Sequence, residues 1–147
     1  MKLTDHFTLE ELIQSNTAKA RGLDNIPSDE QAAYLLKLAV SVLEPARLLL
    51  NTPMKINSGF RSPALNAAVG GVHNSQHMLG QAADFLTPEM DLNLAFDAIK
   101  NSSIPFDQLI YETKGLGSNW IHISCAGEDP PRRQVLSLYQ RNRKLLG

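Results

Sequence analysis

Helical and strand-like patterns occupy different parts of this 147-residue chain, and their order constrains the fold more than any other feature. Thr8 and Ser28 are each followed three residues later by Glu or Gln, the capping-box pattern that begins a helix. The first predicts a short helix that ends near Ser15. The second begins the longest helix, in which apolar residues recur at helical spacing. Pro45 should kink this helix or end its regular part.

Short apolar runs that are typical of strands dominate the sequence after residue 50. They predict strands at 54–57, 82–86, 108–111, 120–123 and 134–139. Two shorter helices are predicted between them, one after Ser62-Pro63 that ends at Gly70-Gly71, and one at 91–100. We therefore predict one α+β domain over 1–147, in which a mainly helical part (1–50) packs on a small antiparallel sheet in the remainder, 51–147.

The charge of the chain excludes one class of partner. The formal net charge is −1 at pH 7, so no global basic field favours binding to nucleic acid. Basic residues cluster only near the C-terminus. They form either a solvated face or a weak attraction for an anionic polymer such as the cell wall, and they are Arg132, Arg133, Arg141, Arg143 and Lys144.

The cysteine content and the apolar segments restrict the class further. Cys125 is the only cysteine, which excludes an intrachain disulfide and a Cys-rich zinc finger. A lone cysteine in an apolar run is more often a core residue than a nucleophile. Neither the opening segment behind Lys2 nor the interrupted apolar region at 35–50 fits a signal peptide or a membrane span. We expect cytoplasmic synthesis without membrane insertion, and delivery by another agent if the protein acts outside.

The densest chemical motif lies between Ser75 and Asp84, in the run SQHMLGQAAD. Gly80 should allow a turn between His77 and Asp84, with His77 on the turn and Asp84 on the strand that follows. The two side chains would then converge on one point. An imidazole and a carboxylate are a normal start for a zinc site.

His122 is the natural third ligand, because a histidine in the apolar strand 120–123 requires a reason to be there. The alternative for any single histidine is a core residue satisfied by hydrogen bonds. His73 competes for the metal through its four-residue spacing from His77, but no H-E-x-x-H pattern accompanies it. His6, in the N-terminal segment, is a weaker candidate still.

At these residues the sequence resembles the M15 zinc peptidases, the group of D-Ala-D-Ala carboxypeptidases and LAS-type enzymes. The S-x-H-x-x-G-x-A-x-D pattern runs from Ser75 to Asp84, and the W-x-H-x-S pattern joins Trp120, His122 and Ser124. The segments S-G-F-R-S at 58–62 and F-T-L-E-E-L at 7–12 resemble the family as well. The similarity therefore covers nearly the whole chain.

The resemblance implies a small α+β fold with an antiparallel sheet under one zinc ion. The ion would be held by His77, Asp84 and His122, with water in the fourth place. Members of the family cut peptidoglycan stem peptides, often next to a D-residue. Arg61 matches an arginine that contacts the substrate and polarises its carbonyl group. Three further residues are expected to contact the substrate or support the ligands: Ser75, Trp120 and Ser124.

The general base departs from the family pattern. Members often carry Glu three residues before the last zinc histidine, or His two residues before it, but these positions hold Asn119 and Trp120 here. Glu112 is the best substitute, because the related hedgehog signalling domain has a glutamate by its metal in a similar Y-E-S-K segment. A hairpin with a loop at 115–119 would return Glu112 to the side of His122. The alternative is a surface glutamate at a strand end.

Several functional readings stay open at this stage. The first is a monomeric zinc metallopeptidase that acts on peptidoglycan, in a phage or prophage context, after release or delivery to the cell wall. The second is a non-catalytic, zinc-stabilised binding or structural module, such as a phage tail component. The third is a zinc peptidase with another substrate. The sequence does not decide between removal of a terminal D-Ala, cleavage of the L-Ala–D-Glu bond and cleavage of a cross-link.

Overall fold

The computed structural model describes residues 1–141 and 144–145 and confirms the α+β class. The helices are α1 (Leu9–Ile13), α2 (Asn16–Arg21), α3 (Asp29–Leu38), α4 (Glu44–Leu50), α5 (Pro63–Ala68) and α6 (Leu92–Lys100). A π turn (Ala39–Leu43) joins α3 to α4, and a 3₁₀ turn (Gln76–Leu79) precedes β2. The strands are β1 (Lys55–Ser58), β2 (Ala82–Leu86), β3 (Gln108–Lys114), β4 (Ser118–Ser124), β5 (Gln134–Arg141) and β6 (Lys144–Leu145).

Both predicted capping boxes are present, at Thr8 for α1 and at Ser28 for α3. The first helix is shorter than predicted, because a second helix, α2, follows it at once. The side chain of Ser15 caps α2, and Gly22 ends it in the left-handed conformation with φ of 64°. That conformation favours glycine, which has no Cβ to clash with the backbone.

Pro45 interrupts the longest helix as predicted. Regular α-helix ends at Leu38, a π turn follows, and α4 resumes with Pro45 in its first turn. Proline has no N–H to donate and its ring clashes with the carbonyl one turn earlier, so the chain must widen locally before it. The helical segment continues to Leu50 and ends at Asn51, which has φ of 50°.

The sheet has the strand order β1-β2-β4-β3-β5-β6 and is mixed, which corrects the prediction of a wholly antiparallel sheet. All neighbours are antiparallel except β3 and β5, which are parallel. The reason is the connection at 125–133. It leaves β4 at the end of the sheet where β3 begins and starts β5 at that same end, where Gln134 donates its N–H to the carbonyl of Asp107.

The two faces of the sheet have different roles because side chains alternate along each strand. One face packs on the helices and builds the core, with Phe85, Leu109 and Ile121 fully buried. The opposite face carries a polar row in which Asp84 pairs with Ser58 on one side and with His122 on the other. No helix among the described residues is both long and apolar enough to cross a membrane.

Asp107 ties three separate segments together at the start of β3. Its carboxylate accepts the backbone N–H of Arg132 and two guanidinium N–H groups of the same residue, at 3.0, 3.0 and 2.6 Å. It also accepts the side-chain amide of Gln76, at 3.1 Å. These hydrogen bonds, above all those from Arg132, hold the pKa of Asp107 below its usual range. The 3₁₀ turn and the loop before β5 are thereby fixed to one carboxylate.

The replacement Asp107→Asn should lower the free energy of unfolding by about 2 kcal/mol near neutral pH, because a charged acceptor shared by several donors is lost. The lowered pKa sets the sign of the pH dependence. The carboxylate's contribution is complete above its unfolded pKa of about 3.9 and is lost as the pH falls through the lower folded value. Urea unfolding at neutral and at acidic pH should therefore show the difference from the unaltered protein shrink in acid.

The exposed Asp97 provides the matched control, since Asp97→Asn removes the same charge from the solvated side of α6. It should change the unfolding free energy by no more than about 0.5 kcal/mol. A difference for Asp107→Asn that is equally large at both pH values would contradict the assigned pKa direction.

Candidate metal centre

The register of the sheet places two of the predicted ligands side by side. Asp84 of β2 pairs with His122 of β4, and His122 pairs in turn with Ile110 of β3. Directly opposed residues on neighbouring strands project from the same face with Cβ atoms about 5 Å apart. The strands therefore bring the carboxylate and one imidazole together, although they are 38 residues apart in the chain.

The third predicted ligand reaches the same point from the 3₁₀ turn before β2. The hydroxyl of Ser75 accepts the backbone N–H of His77 at 3.1 Å and so caps this turn. Gly80 ends the turn with φ of 77° and directs the chain into β2. This is the turn-then-strand arrangement that the spacing of His77, Gly80 and Asp84 predicts.

The three donor atoms have the spacing that a zinc ion requires. Asp84 Oδ1 lies 3.2 Å from His77 Nε2 and 2.9 Å from His122 Nδ1. Two donors bound to one tetrahedral zinc ion are about 3.3 Å apart, given bond lengths of about 2.0–2.2 Å. All three atoms lie within 4.8 Å of one another, and no second group of three such side chains occurs in the described part of the chain.

A hydrogen bond on the side of the ring away from Asp84 fixes the orientation of His77. Its Nδ1–H donates to the carbonyl of Gly59 at 2.7 Å, which leaves Nε2 as the atom that faces Asp84. Gly59 packs so closely on α1 that a Cβ there would lie 2.2 Å from the carbonyl oxygen of Leu12. Phe60 donates its N–H to that same oxygen. The N-terminal F-T-L-E-E-L segment thus positions the predicted ligand His77 through its close packing against Gly59.

The surroundings of Asp84 and His77 favour the protonation states in which these two side chains bind metal. Burial alone raises the pKa of Asp84, but the charges and hydrogen bonds of His77 and His122 outweigh it and hold the pKa well below the usual range. Burial also lowers the pKa of His77. An ionised carboxylate and neutral imidazoles are the forms in which these side chains act as ligands.

Arg61 lies against the second oxygen of Asp84. Its Nη2 is 3.4 Å from Asp84 Oδ2, its Nε–H donates to Ser58 Oγ at 3.0 Å, and its Nη1 donates to Asn66 Oδ1 at 3.0 Å. The side chain is 14% exposed and faces the cavity described below. Arg61 is therefore both an ion-pair partner of a ligand and a donor to the cavity.

Two asparagines that the sequence analysis missed hold Arg61 in place. Asn66 accepts from Arg61 and donates its amide to the carbonyl of Val72 at 2.9 Å. Asn25 accepts the N–H of Ser62 at 2.7 Å and donates to the carbonyl of Phe60 at 3.0 Å. These two hydrogen bonds fix the backbone on both sides of Arg61. Neither asparagine stands in a periodic or local pattern that would have revealed it.

The hairpin between β3 and β4 brings Glu112 to the site as predicted, although its turn is shorter than the expected loop and occupies only 115–117. Glu112 pairs with Trp120, whose indole N–H donates to the Glu112 carboxylate. Burial, and next the charge of Asp84, raise the pKa of Glu112. Asn119 is an odd number of residues from His122 and therefore lies on the other face of the sheet.

A cavity of about 480 Å³ opens in front of the three donor atoms. The β3 side of its wall includes Glu112, and the other side includes Arg61 and the loop after α5, residues 69–72. Ser75 and Trp120 both line it. The cavity leaves a free side at the metal position, which a catalytic zinc site requires and a structural site lacks.

Other sequence candidates lie elsewhere. Ser124 is fully buried, and its hydroxyl accepts the N–H of Gln108. His73 is exposed and outside the three-residue group, while His6 pairs with Glu44 at the surface. Cys125 is buried, and burial raises the pKa of its thiol.

The C-terminal basic cluster is only partly described. Arg132 pairs with Asp107, whereas Arg133 donates to the carbonyls of Ile104 and Ser102. Arg143 lies outside the described residues. The two arginines that can be followed are thus held by specific contacts.

Comparison with known proteins identifies the family to which the chain belongs. The model of the family described as Peptidase M15 matches residues 5–124. A zinc D-Ala-D-Ala carboxypeptidase from Streptomyces albus G is 33% identical over 79 residues, which are 54% of this chain and 30% of that protein. The matched region therefore spans less than a third of the length of that relative.

Replacement of any ligand by alanine should weaken zinc binding by more than about 100-fold, beyond the 10–100-fold typical of losing an outer partner. The variants are His77→Ala, Asp84→Ala and His122→Ala, each titrated against a competing chelator. The matched control is His73→Ala, which removes an exposed histidine four residues from His77 and should leave the affinity unchanged. Strong zinc binding by His122→Ala together with its loss in His73→Ala would overturn the ligand set.

Proposed function

Because the chain belongs to the peptidase M15 family, we propose that it hydrolyses a peptide bond with one zinc ion held by His77, Asp84 and His122. The observation that carries the proposal is that one cavity is lined by these three residues together with a carboxylate and a guanidinium group. Glu112 and Arg61 both line it beside the metal position. A bound zinc ion supplies Lewis-acid chemistry, which acidifies water and polarises a carbonyl group.

Glu112 is the proposed general base. Glu112 lies on the same face of the sheet as His122, two residues along β3 from Ile110, which pairs with His122. The indole N–H of Trp120 donates to one oxygen of its carboxylate. The other oxygen is then available to take a proton from the attacking water and to pass it to the leaving amine. The raised pKa of Glu112 brings its proton affinity closer to that needed for both transfers near neutral pH.

Arg61 is proposed to stabilise the negative charge that develops on the scissile carbonyl oxygen. Its three contacts with Ser58, Asn66 and Asp84 use one N–H of each guanidinium nitrogen. One N–H on each of Nη1 and Nη2 remains for the substrate. A donor that is held rigidly before the reaction needs no reorganisation in the transition state, which makes it effective.

The proposed substrate is a peptidoglycan stem peptide, cut by a carboxypeptidase or endopeptidase mode next to a D-residue. Support comes from the family and from the name of the Streptomyces relative. In this proposal the protein reaches the cell wall by release or delivery. A defined muropeptide, digested by the zinc-loaded protein and analysed by mass spectrometry, tests the substrate and identifies the bond. A protein that binds zinc and leaves every muropeptide intact would instead be a zinc-stabilised binding module or a zinc peptidase with another substrate.

The replacement Glu112→Gln should lower kcat by at least about 100-fold while zinc stays bound, because the amide cannot accept the proton. Turnover of the muropeptide and zinc content are measured on the same sample. The exposed Glu89 offers a matched control, and Glu89→Gln should keep full activity. Normal turnover by Glu112→Gln would eliminate Glu112 as the base.

The replacement Arg61→Lys should lower kcat by about 100-fold or more with little change in KM. A lysine ammonium group cannot bind Ser58, Asn66 and Asp84 and at the same time donate to the substrate, as the guanidinium group can. Steady-state kinetics on the same muropeptide, at saturating zinc, separate this effect from weaker metal binding. A rise in KM alone would show that Arg61 binds the substrate without acting on the transition state.

A further inference from the structure

The cavity extends well beyond the metal position, along one face of β3. Four alternate residues of this strand line it: Gln108, Ile110, Glu112 and Lys114. At about 3.3 Å per residue they span about 20 Å, enough for an extended peptide of several residues. Ile110 marks the metal position, because it is the residue opposite His122. Substrate groups on either side of the scissile bond can therefore contact the protein.

The charges that line this groove are unbalanced. Three cationic side chains line it, namely Arg61, Lys114 and Arg132, against the two carboxylates of Asp84 and Glu112. Asp84 is engaged by two histidines and Arg61, and Arg132 is paired with Asp107, which does not itself line the groove. A divalent ion at the metal position would add further positive charge. The groove as a whole therefore complements an anionic peptide.

Arg132 presents the best-placed unused donors, at the Gln108 end of the groove. Its Nε–H and one Nη2–H are directed at Asp107, at 3.0 and 2.6 Å. The Nη1 group and the second Nη2–H remain. The Arg132 side chain is 56% exposed, whereas that of Asp107 is only 6% exposed. The buried carboxylate thus orients the guanidinium group, and Arg132 lines the groove with these N–H groups unused by Asp107.

We propose that Arg132 binds a carboxylate of the peptide substrate. Asp107 anchors this subsite three residues before Ile110, which places it about 10 Å along β3 from the metal position. The neighbouring groove residues Gln76 and Gln108 are uncharged, so no further acid competes for the guanidinium. Arginine with two parallel N–H groups matches a carboxylate better than a carboxamide. The inference rests on the proposed function and names the acidic feature that the substrate must carry.

The test compares three stem pentapeptides: one with all carboxylates free, one with a carboxamide on the second residue, and one with a carboxamide at the C-terminus. One of the two amidations should lower kcat/KM of the unaltered protein by about tenfold, mainly through KM. In Arg132→Gln, kcat/KM for the free acid should fall about tenfold. The kcat/KM for the amide that the unaltered protein disfavours should stay the same, so the preference disappears. Arg132→Lys, which keeps a charge beside Asp107, should lose most of the preference as well.

Two controls separate a local effect from a general one. Arg21→Gln removes the same charge from α2, outside the groove, and should keep both activity and preference. Lys114→Gln removes the cation at the opposite end and should keep the ratio between acid and amide. An unaltered protein that ignores both amidations, or a preference that survives Arg132→Gln and vanishes in Lys114→Gln, would overturn the proposal.

A binding measurement keeps this inference distinct from the proposed catalysis. The zinc-loaded Glu112→Gln protein is titrated with the same peptides, with and without Arg132→Gln, by calorimetry. An approximately tenfold preference for the acid that depends on Arg132 supports the subsite even if no peptide is ever cleaved. Equal binding of acid and amide refutes the subsite, whatever the outcome of the hydrolysis assay.

Discussion

The carboxylate of Asp84 is the interaction on which the site depends. It lies in β2, between β1 and β4, where it is almost completely buried. One of its oxygens faces His77 and His122, and the other faces Arg61. A buried charge without partners would destabilise the fold by several kcal/mol, so these four side chains form one set. Asp84 would therefore offer a metal ion a carboxylate that is already ionised and oriented.

Contacts on both faces of the sheet hold these four side chains in position. The helical layer packs on the apolar face and leaves the other free for polar side chains. Segments far apart in the chain then fix the polar face through single contacts. Gly59 packs on α1 and accepts a hydrogen bond from the ring of His77. Asn25 hydrogen-bonds to the peptide groups on both sides of Arg61, and Asp107 hydrogen-bonds to the 3₁₀ turn and to the loop before β5. The precision of the site is therefore a property of the whole chain.

The parts of this arrangement that sequence alone predicted are local or periodic. Gly80 marks the turn that joins His77 to Asp84, and short apolar runs mark β3 and β4. Glu112 was predicted from the resemblance to the hedgehog Y-E-S-K segment, and a hairpin in which β4 runs back along β3 accounts for its place beside the site. In this register Asn119, three residues before His122, lies on the opposite face of the sheet, whereas Glu112 lies on the same face as His122.

The parts that sequence did not predict depend on contacts between distant segments. The parallel pairing of β5 is set by where the 125–133 connection begins and ends, not by the composition of the strand. Asn25, Asn66 and Asp107 act through hydrogen bonds to partners from 5 to 37 residues away, and no periodicity records such bonds. The α2 helix was missed because its cap signals, Ser15 and Gly22, bracket a segment too short to show a pattern.

In the proposed site, His77 Nε2, Asp84 Oδ1 and His122 Nδ1 would hold one zinc ion, with the fourth coordination position open towards Glu112. Diffraction from crystals of the zinc-loaded protein, collected on both sides of the zinc absorption edge, tests it directly. We expect a single anomalous peak within about 2.2 Å of each of these three atoms, with no fourth protein ligand. A peak at His73 or elsewhere, or a fourth side chain that closes the coordination sphere, would contradict it.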